Sequence, residues 1–302
     1  MSRGKTVSRR AFLGKVCAGG AVAVASAAFV QAQTPAASGW QIGCYTRPWD
    51  KHDYRVALDA IAEAGYKFAG LMTTKSANNL VLSITTSVEE AHAIGEECKK
   101  RGLTAPSVYG GDIPSNESVE AGIAGMHKLI DNCVAAGVAN LMMGGVGDEK
   151  AHVPYYKAIA ESCAYAAEKG VGISVKPHGG TNSTGPQCRA LIDSVGKPNF
   201  RLWYDPGNIY YYSDGKLDPV DDAATVDGLV VGMSVKDFKD PKEVLLTPGT
   251  GRVDFPKVMA RLAKGGFTSG ALIVECLTPG ELPQLLEEAK KARAFVEGLV
   301  KQ

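Results

Sequence analysis

Five side chains able to move protons or hold charge stand at the ends of apolar runs in the second half of the chain. Lys176 and His178 close "GISVKPH", Asp205 closes "RLWYD", Lys236 follows "VVGMSV" and Glu275 follows "GALIV". Lys176, Asp205, Lys236 and Glu275 are separated by 29, 31 and 39 residues. An imidazole titrates near neutrality and suits proton transfer. A carboxylate serves as a base or as the partner of a cation. A lysine stays charged beside carboxylates, whereas in an apolar setting it loses its proton and acts as a base or Schiff-base amine. Buried charges are costly unless paired, so two lysines facing two carboxylates form a coherent set. One charged residue at a strand end is ordinarily a solvated loop residue. Four in matching positions, with His178 beside them, indicate one shared cleft and acid–base chemistry within it.

The elements that must position these residues are visible in the alternation of short apolar runs with longer amphipathic segments. The runs are "WQIGCYT", "KFAGLM", "LTAPSVY", "ANLMMGG", "GISVK", "FRLWYD", "LVVGMSVKD" and "GALIVEC". Between them "DYRVALDAIAEAG", "SVEEAHAIGEECKKRG", "SVEAGIAGMHKLIDNCVAAG" and "PYYKAIAESCAYAAEKG" carry apolar residues at three- and four-residue intervals. They stop at Gly65, Gly102, Gly137 and Gly170, which suit a left-handed helix cap. Strands alternating with helices imply parallel pairing, and eight such units fit a (β/α)8 TIM barrel forming a single domain over residues 33–302. A doubly wound sheet would carry a glycine-rich phosphate turn after its first strand, and "YTRPWDKHD" has none. In a barrel, alternate strand residues face the lumen and the strands' carboxyl ends carry the site. Gly172, Ser174, Lys176 and His178 then share the lumen side, and Ile173, Val175 and Pro177 pack under helices.

The chain has 302 residues and a formal net charge of +1, with no basic stripe of the kind a nucleic-acid or membrane surface needs. Its start reads differently from the rest. "SRRAFLGK" places Arg9 and Arg10 before the small, apolar run "VCAGGAVAVASAAFV", the pattern of a twin-arginine export signal over residues 1–32. Export to the periplasm or an equivalent compartment is therefore expected. The run is too short and too rich in glycine and alanine to favour a membrane anchor, and no later segment is apolar enough to span. Cys44, Cys98, Cys133, Cys163, Cys188 and Cys276 are scattered without a CxxC pair and read as small buried hydrophobes.

"LWYDPGN", "VKDF" and "PGTGRVDFPKVMARLAKGGFTSGALIVEC" resemble the xylose isomerase-like TIM-barrel superfamily of sugar isomerases and epimerases over the whole segment after the signal. The resemblance implies a divalent metal held by Glu, Asp, His and Glu on the last four strands. Carried onto this chain, the second ligand falls on Asp205 and the fourth on Glu275. The first falls on Lys176, and the third on Ser234, where "HxKD" reads "SVKD". The family's glycine-histidine pair reads Gly207-Asn208.

Two readings follow. In the preferred one the chemistry is metal-free, with Lys176, His178, Asp205, Lys236 and Glu275 as catalytic groups. In the other, His178, Asp205 and Glu275 rebuild a metal site. Tyr45, Arg47 and Trp49 alternate after the first strand and are expected to line the mouth against a carbohydrate, with Asn208 and Ser234 as further substrate contacts. "YYY" at Tyr210 to Tyr212 would add stacking, and the turns "YGGDIP" and "MGGVGD" would let a ligand approach closely. The implied activity is isomerisation or epimerisation of a sugar or keto-sugar by proton transfer next to a carbonyl. A keto-sugar or keto-glycoside lyase or hydratase, and a non-catalytic carbohydrate-binding barrel, remain open, and an oligomer is compatible with all three.

Overall fold

Each apolar run becomes a strand because β-branched, aromatic and other apolar side chains suit a sheet covered on both faces. The strands are β1 (Trp40–Tyr45), β2 (Phe68–Gly70), β3 (Val108–Tyr109), β4 (Asn140–Met143), β5 (Gly172–Val175), β6 (Phe200–Tyr204), β7 (Val230–Val235) and β8 (Gly270–Val274). The computed structural model describes residues 39–301, so the export signal expected over 1–32 lies outside the described residues. All pairings are parallel, in the order β2-β1-β8-β7-β6-β5-β4-β3. The two ends of this sheet meet through parallel bridges Phe68–Thr104 and Leu71–Val108. Across that seam Leu71 N donates to Ser107 O at 3.0 Å and Tyr109 N to Leu71 O at 2.9 Å. The result is an eight-stranded TIM barrel, as the alternation of runs predicts.

The helices α1 (Tyr54–Glu63), α2 (Val88–Lys100), α3 (Val119–Ala136), α4 (Glu149–Glu168), α5 (Gly185–Val195), α6 (Pro206–Tyr212), α7 (Pro219–Ala223), α8 (Phe255–Lys264) and α9 (Leu282–Leu299) supply the crossovers. Their starts are specified locally. Asp53, Ser118 and Asp148 cap α1, α3 and α4, and Ser87 with Glu90 forms a reciprocal capping box on α2. Their ends follow the expected glycines: Gly65, Gly102, Gly137 and Gly170 have φ of 88°, 66°, 70° and 72°. Helix α4 starts at Glu149 rather than at Pro154, because the Asp148 cap precedes the proline and the helix runs through it.

Alternation sorts the strand residues into two separate apolar cores. Outward-facing residues pack under the helices, while Tyr45, Met72, Met142, Trp203, Ala271 and Ile273, with Tyr109 against them, fill the lumen. Two strand glycines make this filling possible. A Cβ on Gly70 would collide with the Tyr45 ring, and one on Gly232 with the Trp203 ring. The lumen is therefore packed up to the level where the charged residues begin. Above β7, buried Asp237 accepts from the backbone N–H groups of Gly249, Gly251 and Val253 at 2.9, 2.8 and 3.1 Å, fixing the loop that precedes α8.

Candidate active site

Register brings the strand-end charges together. Val235 pairs with Val274, so the next residues, Lys236 and Glu275, emerge side by side. Cys44 also pairs with Val274, which brings the chain running from Tyr45 to Arg47 beside Glu275. The geometry is compact. Lys176 Nζ lies 2.8 Å from Asp205 Oδ2 and 2.6 Å from Glu275 Oε2. Glu275 Oε1 accepts from Lys236 Nζ and from Arg47 Nη1, both at 3.0 Å. Lys236 Nζ also donates to Asn208 Oδ1 at 2.9 Å and stands 4.0 Å from Asp205 Oδ2. Asp205 and Glu275 are fully buried, and the side chains of Lys176 and Lys236 are 2% and 5% exposed. Arg47 alone reaches solvent, with a third of its side chain exposed. Three cations thus face two carboxylates at the mouth of the barrel.

This arrangement fixes the charge states. Burial alone would lower the pKa of Lys176, but the Asp205 and Glu275 charges outweigh it and hold the ammonium protonated. Burial would raise the pKa of Glu275, yet Lys176, Lys236 and Arg47 bring it well below the usual carboxylate range. Glu275 is therefore an anchor for cations and a poor base. Asp205 differs. Its Oδ1 accepts the Asn208 N–H at 2.9 Å and caps α6, while Oδ2 meets Lys176 only as an ionic contact and accepts no well-aligned hydrogen bond. Oδ2 is buried beside the Lys176 ammonium and keeps a lone pair that no aligned donor fills.

His178 stands at the rim, exposed on its outer side and flanked by Tyr109 and Tyr212 at ring-centroid distances of 6.2 and 5.9 Å. Desolvation by the walls of the mouth and the Lys176 charge lower its pKa, to about 4, with water on the outer side tempering the desolvation. At neutral pH it is an uncharged imidazole able to accept a proton. Gly144, in the expected glycine-rich turn, serves this packing: a Cβ there would lie 2.6 Å from Tyr109 Oη and 3.2 Å from His178 Nδ1. That glycine makes room for side chains of the protein itself.

Several expected site residues lie elsewhere. Trp49 does not line the mouth. The alternation predicted for Tyr45, Arg47 and Trp49 ends at Tyr45, because Arg47–Trp49 forms a 3-10 turn with Pro48 in it, and Trp49 is buried in the outer core. Tyr45 does face the lumen, but one layer below the charges, fully buried with Oη 3.4 Å from Ser107 Oγ. Ser234 is also buried at that depth, its hydroxyl without a partner. Asn208 is a bridge with both ends of its amide engaged: Nδ2 donates to Pro177 O at 2.6 Å while Oδ1 takes the Lys236 ammonium. Of the three tyrosines, Tyr210 stacks on Phe238, and Tyr212 reaches His178.

Two contributors are not evident in the sequence. Asn182 Nδ2 bridges Gly144 O at 2.9 Å and Lys176 O at 2.7 Å, tying the end of β5 to the loop after β4, and nothing about an asparagine in "GGTNS" signals this. Tyr109 sits against Gly144 in the turn after β4, and only its inward parity on β3 could have indicated its place.

The divalent metal implied by the resemblance does not fit the residues present. Among the described residues, no three His, Cys, Asp or Glu side chains are grouped as a metal would require. His178 at the rim does not complete a set with Asp205 and Glu275, and the Lys176 ammonium occupies the place between those carboxylates.

Comparison with known proteins agrees with the barrel. A xylose isomerase domain protein from Planctomyces limnophilus is 18% identical with a TM-score of 0.67, covering 87% of this chain and 98% of that one. D-psicose 3-epimerase from Clostridium cellulolyticum H10, solved with D-tagatose, is 13% identical with a TM-score of 0.69, covering 86% and 99%. D-allulose 3-epimerase from Methylomonas sp., solved with D-allulose, is 17% identical with a TM-score of 0.66, covering 87% and 98%. At these identities the likeness is one of fold. No curated protein matches the chain. The family model described as xylose isomerase-like TIM barrel matches residues 58–298, which is most of the chain, and this protein belongs to that family.

Proposed function

We propose that this protein is an exported sugar isomerase or epimerase that moves a proton at the carbon next to a carbonyl. The observation that carries the reading is the buried set at the ends of β5 to β8, where Asp205 keeps a free lone pair beside the Lys176 ammonium. Asp205 Oδ2, or the neutral imidazole of His178 on the rim, takes the proton from the substrate carbon. The electron pair left behind moves onto the carbonyl oxygen, and the positive charges of Lys176, Lys236 and Arg47 stabilise that oxygen. Return of a proton to the neighbouring carbon completes an isomerisation, and return to the opposite face of the same carbon completes an epimerisation. Glu275 holds the cations in position throughout. The solved relatives named as sugar 3-epimerases, which share this barrel, support the choice of substrate class.

The test is solvent exchange. In deuterium oxide, the purified protein should introduce deuterium next to the carbonyl of at least one member of a panel of ketohexoses and keto-glycosides, followed by NMR. Lys176→Met should slow that exchange by roughly 10²–10³-fold, the scale for losing one preorganised donor to an oxyanion. Elimination of a hydroxyl or glycosyl group after exchange would reassign the protein as a lyase. Exchange with no member of the panel would leave only carbohydrate binding. The export part of the reading rests on Arg9 and Arg10. Replacing both with lysine should retain the chain in the cytoplasmic fraction, and unchanged export would remove the twin-arginine assignment.

A further inference from the structure

We propose that the ammonium of Lys176 does the work of the divalent cation that the fold family implies, so that the metal-free chain is the working form. Two buried carboxylates require compensation, and here Lys176 and Lys236 supply it from within the barrel while Arg47 closes the outer side. The buried carboxylate that follows Lys236 in the chain, Asp237, is taken up by the backbone N–H groups of Gly249, Gly251 and Val253 and does not join the set.

Geometry gives a second argument. Lys176 Nζ touches Asp205 Oδ2 and Glu275 Oε2 at 2.8 and 2.6 Å, so it occupies the space in which one ion would bridge them. The remaining oxygens are also engaged, Glu275 Oε1 by Lys236 and Arg47 and Asp205 Oδ1 by the Asn208 N–H. Where the family resemblance places an imidazole ligand, Ser234 offers a buried hydroxyl without a partner. A divalent ion entering this cleft would meet three fixed cations within a few ångströms of its binding place, with little solvent to screen them.

The substitution changes what the site offers a substrate. An ammonium has three N–H bonds. Glu275 accepts one, and the ionic contact with Asp205 at 2.8 Å takes up the space beside a second, which leaves one for a substrate oxygen, whereas a metal would accept two neighbouring oxygens. Lys176 therefore recognises a single oxygen, and the second is left to Lys236 or Arg47. This consequence for the substrate rests on the proposed proton-transfer function, while the metal independence does not.

The experiment is built on metal binding, so that its failure and the failure of the sugar reading are distinguishable. The exported wild-type protein is purified, its metal content is measured, and its melting temperature is recorded with and without Mn²⁺, Co²⁺ and a chelator. The expected results are well below one equivalent of metal, no shift with either ion and no loss of melting temperature on chelation. Near-stoichiometric metal, with a melting temperature that falls on chelation, would overturn the proposal. In parallel, the Lys176→Glu/Ser234→His variant removes the ammonium and adds two ligands. It should acquire about one equivalent of Mn²⁺, seen by titration and by the electron paramagnetic signal, with affinity at least roughly tenfold above wild type. Lys176→Gln gives the same comparison if the double variant does not fold, since it removes the ammonium from Asp205 Oδ2 and Glu275 Oε2. A folded variant that gains no affinity would overturn the assignment of Lys176 as the group that takes the metal's place.

Discussion

The protonation state of His178 is set first by desolvation at the barrel mouth and then by neighbours around it. Lys176 just after β5, Lys236 just after β7 and Arg47 from the turn after β1 disfavour the imidazolium, Glu275 just after β8 favours it, and the rings of Tyr109 and Tyr212 from β3 and α6 flank it. The net effect lowers its pKa from 6.5 to about 4. The sign follows directly: the folded protein holds the neutral form, so the unfolded chain binds the proton first as the medium is acidified. Stability linked to this group falls as pH drops from about 6.5 toward 4, and it is unaffected above neutrality. Histidine NMR should therefore show one ring titrating well below 6.5 in the wild type and moving upward in Lys176→Met, where the strongest of the repelling charges is gone and only Lys236 and Arg47 face the two carboxylates. A wild-type midpoint near 6.5 would mean that solvent on the outer side dominates the site. The catalytic candidates themselves were legible, because strand parity and a near-constant spacing placed Lys176, Asp205, Lys236 and Glu275 at one level. Their hydrogen-bond partners were not. That Asn208 would spend both ends of its amide inside the protein, or that Asn182 would brace Lys176, depends on loops whose paths no local pattern encodes.

Helices and strands were legible for local reasons, and the failures are local as well. Caps at Asp53, Ser87 and Ser118 and left-handed glycines at the far ends bound the first three helices where periodicity places them. Two-residue alternation failed beyond Tyr45, because a turn containing Pro48 replaces extended backbone and sends Trp49 outward. The strand glycines carry information that periodicity does not expose. Gly232 on β7 and Trp203 on β6 form one packed unit, since a side chain at 232 would collide with the indole. Gly232→Ala should thus destabilise the barrel by about 1–3 kcal/mol through overpacking, lowering the melting temperature by roughly 2–12 °C. Gly147→Ala, where a Cβ would meet open space, is the control and should change little. Adding Trp203→Leu to Gly232→Ala should cost less than the sum of the two single changes, because the smaller side chain removes the clash. Strict additivity would show that the lumen relaxes around the alanine and that the glycine is dispensable.

At the scale of the whole molecule, the closed barrel and its ring of helices determine the fate of the thiols. Cys44, Cys98, Cys133, Cys163, Cys188 and Cys276 are all buried and unpaired. They lie on β1, on α2 to α5 and just after β8, so folding distributes them around the barrel. Burial pushes the Cys98 and Cys163 thiols up to about 11 and the others in the same direction, leaving almost no thiolate to react at neutral pH. A chain threaded unfolded into an oxidising compartment would present these thiols before any of them was covered, and mixed disulfides would compete with folding. A chain that folds before crossing would present none. The proposed twin-arginine route, which carries folded cargo, and this distribution of cysteines therefore make a joint prediction. Protein recovered from the exported fraction should show almost no reaction with a thiol reagent over minutes at neutral pH, and all six thiols of the 33–302 segment should react once guanidinium unfolds it. A disulfide in the exported protein would mean that oxidant reached the cysteines before the barrel had closed around them.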